Sequence, residues 1–231
     1  MSLTSQQRTE LEHDGLTIAQ DVLSPGEVRA LDEHITKRIA ALAPGQRSEH
    51  LDLAHHGDDV LLQACRHPKI VELVSSVLGP ELKLFSSHVI SKPAGYGLGV
   101  PWHQDARYWP LEPMKVLTVW LAVDDSDTEN GCMRYLPGSH RRPLERHEPM
   151  SSSTVLDREI PSDRVALDEA RDVCLRAGSV SLHHPHLVHG SNENRSHRRR
   201  CGYTMRFIPA DVRLVAERVE GFPADWPIYT I

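Results

Sequence analysis

Cysteine is scarce in this 231-residue chain: Cys65, Cys132, Cys174 and Cys201 stand apart and form no C-x-x-C pair. That spacing argues against a disulfide frame and against a thiolate zinc site, and it favours reduced thiols in a cytosolic protein. Long apolar runs are also missing. No apolar stretch opens the chain, and none approaches the ~20 residues of a membrane helix, so a soluble, unexported protein is expected, with no membrane partner. There is no basic excess. Against 26 Lys and Arg stand 32 Asp and Glu, a formal net charge of -6, which speaks against nucleic acid and leaves small polar or charged molecules as partners. Internal repeats, low-complexity tracts and a Gly-rich phosphate loop are absent too. "AGYGLG" (94–99) has no helix behind it and reads as a flexible strand connection. Nothing in the letters sets an oligomeric state.

With 39% hydrophobic residues the chain can bury one core and is short for two, so residues 1–231 are expected to form one domain. "SPGEVRALDEHITKRIAAL" predicts a helix: Ser24 as N-cap, Pro25 at the first position, Glu27 completing a capping box, then Val28, Leu31, Ile35, Ile39 and Leu42 along one face. "HPKIVELVSSVLGP" predicts another, stopped by Gly79 and Pro80. Beyond about residue 80 the texture changes. "LKLFSSHVISKP", "KVLTVWLAVDD", "CMRYLP", "GSVSLHHP" and "CGYTMRFIP" are short, rich in β-branched and aromatic residues, and separated by turn formers. The expectation is a mainly β protein with flanking helices: helical to about residue 80, then a β core over about 81–209. The polar 141–176 segment, with its weak periodicity, is a candidate lid.

Histidine is abundant, at 15 residues, and it is the commonest metal ligand. In "PWHQDARYWP" (101–110), His103 and Asp105 share a face if the segment is extended and could grip one ion. Alone this means little, since His50 and Asp52 have the same spacing. A third ligand from a distant strand would separate the two pairs. "LHHPHLVHGSNENRSHRRR" offers His183, His184, His186 and His189. Two histidines and one carboxylate form the facial triad suited to non-haem Fe(II), with three positions left free.

"PWHQD", then "VLTVWLAVDDSDTENGCMRYLPGSH", then "AGSVSLHHPHLVHGSNENRSHRRRCGYTMRF" together resemble the phytanoyl-CoA dioxygenase family of Fe(II)- and 2-oxoglutarate-dependent oxygenases, from about Gly15 to about Pro209. The order is specific: H-x-D, a Trp-bearing strand, N-G, P-G-S-H, then H-G-S and an arginine about ten residues on. The resemblance implies a double-stranded β-helix (jelly-roll, cupin-like) with the metal near one open end. It implies His103, Asp105 and His189 as ligands, with the Trp and Tyr around H-x-D as the dry wall and substrate mouth. His184 is then a candidate for lining the barrel, with His183 and His186 outward or behind the ligands, and His50 and Asp52 a surface pair.

The distal carboxylate of 2-oxoglutarate calls for an arginine fork. Arg200, eleven positions beyond His189, fits the family pattern, although a one-residue gap would choose Arg199. Strand alternation puts one of them in and the other out. Ser191, Gln104 and Trp120 match the family's further 2-oxoglutarate contacts, and Trp120 could equally be core. Arg206 lies on the Arg200 side of its strand, for substrate or for structure. Asn130-Gly131 and Pro137-Gly138-Ser139-His140 are read as turns. The implied reaction consumes O2 and 2-oxoglutarate, releases succinate and CO2, and hydroxylates an unactivated C–H bond of a small metabolite. Two other readings stay open: a cupin-like metalloenzyme that ignores 2-oxoglutarate and so has no need of Arg200, and a non-catalytic metabolite-binding protein on the same fold.

Overall fold

The structure, a computed structural model, describes residues 2–150 and 155–231. Its helices are α1 (Ser5–Asp14), α2 (Pro25–Ala40), α3 (Asp59–Cys65) and α4 (Pro68–Leu78). Local chemistry sets their limits. Ser24 Oγ accepts from the Glu27 amide while the Glu27 carboxylate accepts from the Ser24 amide, closing the expected box at the start of α2. Pro68 opens α4, and Gly79 follows its last residue. α1 buries none of its residues and therefore shows no apolar stripe from which to predict it.

The strands, in chain order, are β1 (Leu16–Ala19), β2 (Leu51–Asp52), β3 (Leu82–Lys92), β4 (Val100–His103), β5 (Leu111–Glu112), β6 (Leu117–Ala122), β7 (Met133–Tyr135), β8 (Glu148–Pro149), β9 (Arg158–Glu159), β10 (Arg171–Val173), β11 (Val180–His183), β12 (His189–Ser191), β13 (Arg200–Pro209), β14 (Arg213–Leu214) and β15 (Tyr229–Thr230). One sheet runs β1-β11-β6-β13-β3-β15, with β2 also on β3; the second runs β10-β7-β12-β4. Pairing is antiparallel throughout. These two sheets form the jelly-roll core of a mainly β fold with flanking helices. The helical front end is less uniform than expected, because β1 and β2 leave it to join the larger sheet. Strands also continue past residue 209.

Alternation along β6 and β13 divides the larger sheet into two faces. Val119, Leu121, Tyr203, Met205 and Phe207 point outward and pack with Leu31, Ile35, Leu61 and Leu73 of α2, α3 and α4. Each such buried side chain contributes about 1.5–3 kcal/mol, and this burial holds the helices in place more than their own propensity does. Trp120 and Ala122 point the other way, toward Met133 and Tyr135 of the second sheet. The residues between the sheets thus include the polar ones, Thr118, Arg200, Thr204 and Arg206.

The 141–176 segment contains the β8–β9 hairpin and ends with β10, which is a full member of the second sheet. Residues 151–154 of that candidate lid lie outside the described residues. Among the described residues no helix is long and apolar enough to cross a membrane.

Candidate metal and anion site

β4 and β12 are neighbours, and their register sets His103 opposite His189 with the ring centroids 4.1 Å apart. β4 ends at His103, yet Gln104 is still extended (φ -121°, ψ 124°). Asp105 therefore returns to the side of His103, and the expected i, i+2 grip is made with the carboxylate on a 3-10 turn just past the strand. One ligand atom from each of His103, Asp105 and His189 lies within 4.8 Å of the others, and all three residues are buried.

Backbone carbonyls orient both rings. His103 Nδ1 donates to Pro101 O and His189 Nδ1 to Leu187 O, each at 2.8 Å. In the neutral rings Nε2 then carries the lone pair, and these atoms stand 3.6 and 4.0 Å from Asp105 Oδ1. Thr118 Oγ1 donates to the other carboxylate oxygen at 3.2 Å. Burial pushes the Asp105 carboxyl up. The Arg206 charge and the nearby His103 and His183 rings outweigh that and hold it well below the ordinary carboxylate value. Burial, then the nearness of His103, keeps His189 well below the usual imidazole value. An ionised carboxylate beside a neutral imidazole can accept a divalent cation without first losing protons.

A second charged feature reaches the same cavity through Arg200. Arg200 and Lys92 are cross-strand partners in the β13–β3 ladder, and both are fully buried. Ser191 Oγ sits between them, 2.7 Å from Lys92 Nζ and 3.3 Å from Arg200 Nη2. Arg200 Nε donates to Gly131 O at 3.0 Å, and the guanidinium lies 5.4 Å over the Trp120 ring. Gly202 allows that indole to lie across β13, since a Cβ there would come within 2.2 Å of it. The hydrogen-bond partners of both cations are neutral: Ser191 and the carbonyls of Asn192, Gly131 and Ile90. Burial lowers Arg200 to about 10, and burial together with Arg200 drives Lys92 well below its ordinary value. Buried charge without a counter-charge costs several kcal/mol, and an anion placed between the two would offset it.

The sequence-predicted residues fall into two groups. His103, Asp105, His189, Trp120 and Arg200 line one cavity, and Ser191 touches Arg200 behind it. Gln104 is not brought there. Parity turns it away from the ligands, and its amide is spent on His186 O and the Glu145 N–H, both at 2.8 Å, so it ties the metal turn to the start of the 141–176 segment.

Of the spare histidines, His183 takes the place behind a ligand that was one of its two expectations, and His184 departs from its own. His183, expected to face outward or sit behind the ligands, lines the cavity with Nε2 3.8 Å from Asp105 Oδ2. His184, expected to line the barrel, packs against His140 outside it at 5.2 Å. The cause is the parity of β11: Leu182 belongs to the helix-side core, so Ser181 and His183 face inward. Arg199 points outward to Asp124 and Asp32, and Arg198 to Asp127 and Glu129. Asp52 is exposed and pairs with His88 Nδ1 at 3.1 Å. Lys92 escaped the sequence reading altogether. Its only signal is that it shares a strand face with His88 and Ile90, ahead of a proline.

A family model described as Phytanoyl-CoA dioxygenase (PhyH) matches residues 11–202. The chain belongs to the phytanoyl-CoA dioxygenase family. The matched span of this phytanoyl-CoA dioxygenase family member contains His103, Asp105, His189, Lys92 and Arg200. The peroxisomal phytanoyl-CoA dioxygenase of Rattus norvegicus is 27% identical over 90% of this chain and 60% of its own length, so this chain spans about three fifths of that relative. Two solved structures are also similar. The non-haem monooxygenase ThoJ shares 28% identity at a TM-score of 0.78, covering 90% of this chain and 79% of its own. SnoK, described as a non-haem alpha ketoglutarate dependent carbocyclase from nogalamycin biosynthesis, shares 26% at 0.73, covering 92% and 86%.

Proposed function

We propose that this family member is an Fe(II)- and 2-oxoglutarate-dependent oxygenase that hydroxylates an unactivated C–H bond of a small metabolite. The observation that carries the reading is the Lys92–Arg200 pair, two buried basic groups with only neutral hydrogen-bond partners among the described residues, of which Arg200 lines the cavity that holds the His-Asp-His triad. A metalloenzyme that ignored 2-oxoglutarate would need the triad alone. A dicarboxylate with an oxo-acid head needs both the triad and a distal cation.

His103, Asp105 and His189 would hold the iron, and Arg200, Lys92 and Ser191 the distal carboxylate, with Trp120 as the wall between. When bound, iron and 2-oxoglutarate supply O2 activation coupled to release of CO2 and succinate. The chain's own work is placement. Pro101 O and Leu187 O fix the ring orientations, Thr118 fixes Asp105, and Trp120, Met133 and Tyr135 keep water out. Asp105 is a carboxylate where related halogenases leave room for halide, which favours oxygen transfer to carbon. The open space in the cavity is about 50 Å³, and Val155 and Leu156 are part of its wall. A metabolite therefore needs that part of the 141–176 segment to move, which is a lid's behaviour.

The test is spectroscopic first and chemical second. Under anaerobic conditions Fe(II) plus 2-oxoglutarate should give the weak visible charge-transfer band of the chelate, and air should then yield succinate. Loss of both in Arg200→Ala supports the reading; metal uptake with indifference to 2-oxoglutarate contradicts it. Product analysis on a turned-over substrate separates hydroxylation from a ring closure of the kind named for SnoK.

A further inference from the structure

Arg206 stands six residues beyond Arg200 on the same face of β13, about 20 Å along the strand, in the wall of the same cavity. It differs from Arg200 in being half-buried, beside the partly exposed Trp109. Its guanidinium lies 5.4 Å over the Trp109 ring, and Trp109 is itself held edge-on to Phe85 at 5.8 Å. Stacking on an indole occupies the face of a guanidinium but leaves its in-plane N–H donors free. Arg206 Nε is buried and has no hydrogen-bond partner among the described residues. Two more polar atoms in that wall are in the same condition, Thr204 Oγ1 and His183 Nε2. Asp105 feels the Arg206 charge, yet its oxygens face His103, His183, His189 and Thr118. Buried polar atoms are almost always satisfied in a folded protein, so orphaned donors gathered on one cavity mark the place of a ligand's acceptors.

From this we infer that Arg206 is a specificity residue: it forms, with Thr204, a second anion site at the mouth of the barrel, and the substrate is a metabolite bearing a carboxylate or phosphate oxyanion. The inference rests on the proposed 2-oxoglutarate chemistry only in calling this ligand the substrate. The fork supplies paired donors to an oxyanion, and Trp109 gives a flat wall against which the carbon skeleton lies. A neutral substrate would leave the guanidinium bare.

The experiment uses the full chain loaded with Mn(II) and 2-oxoglutarate under argon. Thermal shift and calorimetry are run against a panel of short- to medium-chain carboxylates and phosphomonoesters, each beside its neutral amide or alcohol. Expected is binding by at least one anion and not by its neutral counterpart. Arg206→Gln should weaken it by about tenfold or more, and Arg206→Lys should restore part of it. The 2-oxoglutarate affinity should stay within about twofold of the parent protein, and Mn(II) affinity should not fall in step with the anions, since losing a positive charge near Asp105 does not weaken cation binding. The carboxylate and phosphate arms decide which oxyanion is preferred.

Three results would overturn the inference: no anion binding in the millimolar range, equal binding of neutral counterparts, or a loss of Mn(II) or 2-oxoglutarate affinity in Arg206→Gln matching its effect on the panel. Failure of the parent protein to bind 2-oxoglutarate would instead count against the proposed function, and the anion panel on the Mn(II) form alone would still judge Arg206. Melting of the metal-free variants checks that they fold.

Discussion

β13 carries an arginine at each end of its inner face, and the two ends of the cavity are built differently. Around Arg200 everything is fixed: the guanidinium is fully buried, its Nε is held by Gly131 O, Trp120 lies beneath it, and Lys92 and Ser191 complete the pocket. The hydrogen-bond partners of Arg200 and of Lys92 Nζ among the described residues are all neutral. Arg206 and the Trp109 beneath it are half-exposed, and Val155 and Leu156 belong to the wall of the cavity. A compartment for one constant dicarboxylate can be rigid and pre-organised, whereas one through which a substrate enters and leaves needs movable parts. The triad lines the same cavity as both arginines.

The largest break in this comparison comes from removing what both ends share. Asp105→Ala should lower Mn(II) affinity by about 100-fold or more, following the loss of a charged ligand, with turnover falling at least as far; metal titration followed by electron paramagnetic resonance checks it. Next, Arg200→Ala should cost about 2–5 kcal/mol of 2-oxoglutarate binding, the usual loss when one partner of a buried charge pair is truncated. Mn(II) binding should survive, and calorimetry on the Mn(II) form reads both.

Lys92→Met sharpens the picture at the closed end. It should weaken 2-oxoglutarate by about tenfold and yet stabilise the metal- and co-substrate-free protein by about 1–3 kcal/mol, because one of two repelling buried cations is gone. The melt without 2-oxoglutarate should rise, and the further rise on adding 2-oxoglutarate should be smaller than in the parent protein.

The smallest effect separates the ends by pH. His147 Nε2 accepts from the Gln104 N–H at 3.0 Å while Nδ1 donates to Glu145 O, and burial lowers its pKa to about 4. The unfolded chain takes up this proton below about 6.5 and the folded chain only near 4. The stability it lends is therefore complete above about 6.5 and lost as pH falls toward 4. Hydrogen exchange, corrected for intrinsic rates, should accelerate around Gln104 and residues 145–147 at pH 5 relative to pH 7.5, while the amides near Arg200 keep their protection.

How far the letters carried the reading depends on whether a residue's role is local. The α2 capping box and the stop after α4 are written in adjacent residues and were legible. The H-x-D pair and the later H-G-S histidine were legible through their order; alternation allowed only one of Arg199 and Arg200 inside, and the spacing from His189 pointed to Arg200, the one that lines the cavity. Lys92 was hidden because its importance comes from the β13–β3 register, which nothing within β3 reveals. His184 was misplaced, and His183 left between two positions, because two adjacent histidines give no parity until the outward Leu182 is known. Gln104 was misplaced for a related reason: between two inward ligands an extended chain must turn the middle side chain away. β1 was missed since it is four residues long and belongs to a sheet assembled mostly from residues far along the chain.

A crystal structure of the protein grown with Mn(II) and 2-oxoglutarate under argon tests the central claim most directly. The account predicts one metal bound by His103 Nε2, Asp105 and His189 Nε2, with the distal carboxylate of 2-oxoglutarate seated between Lys92 and Arg200 against Ser191. A metal held elsewhere, or a triad metal with no anion between those two cations, would contradict it.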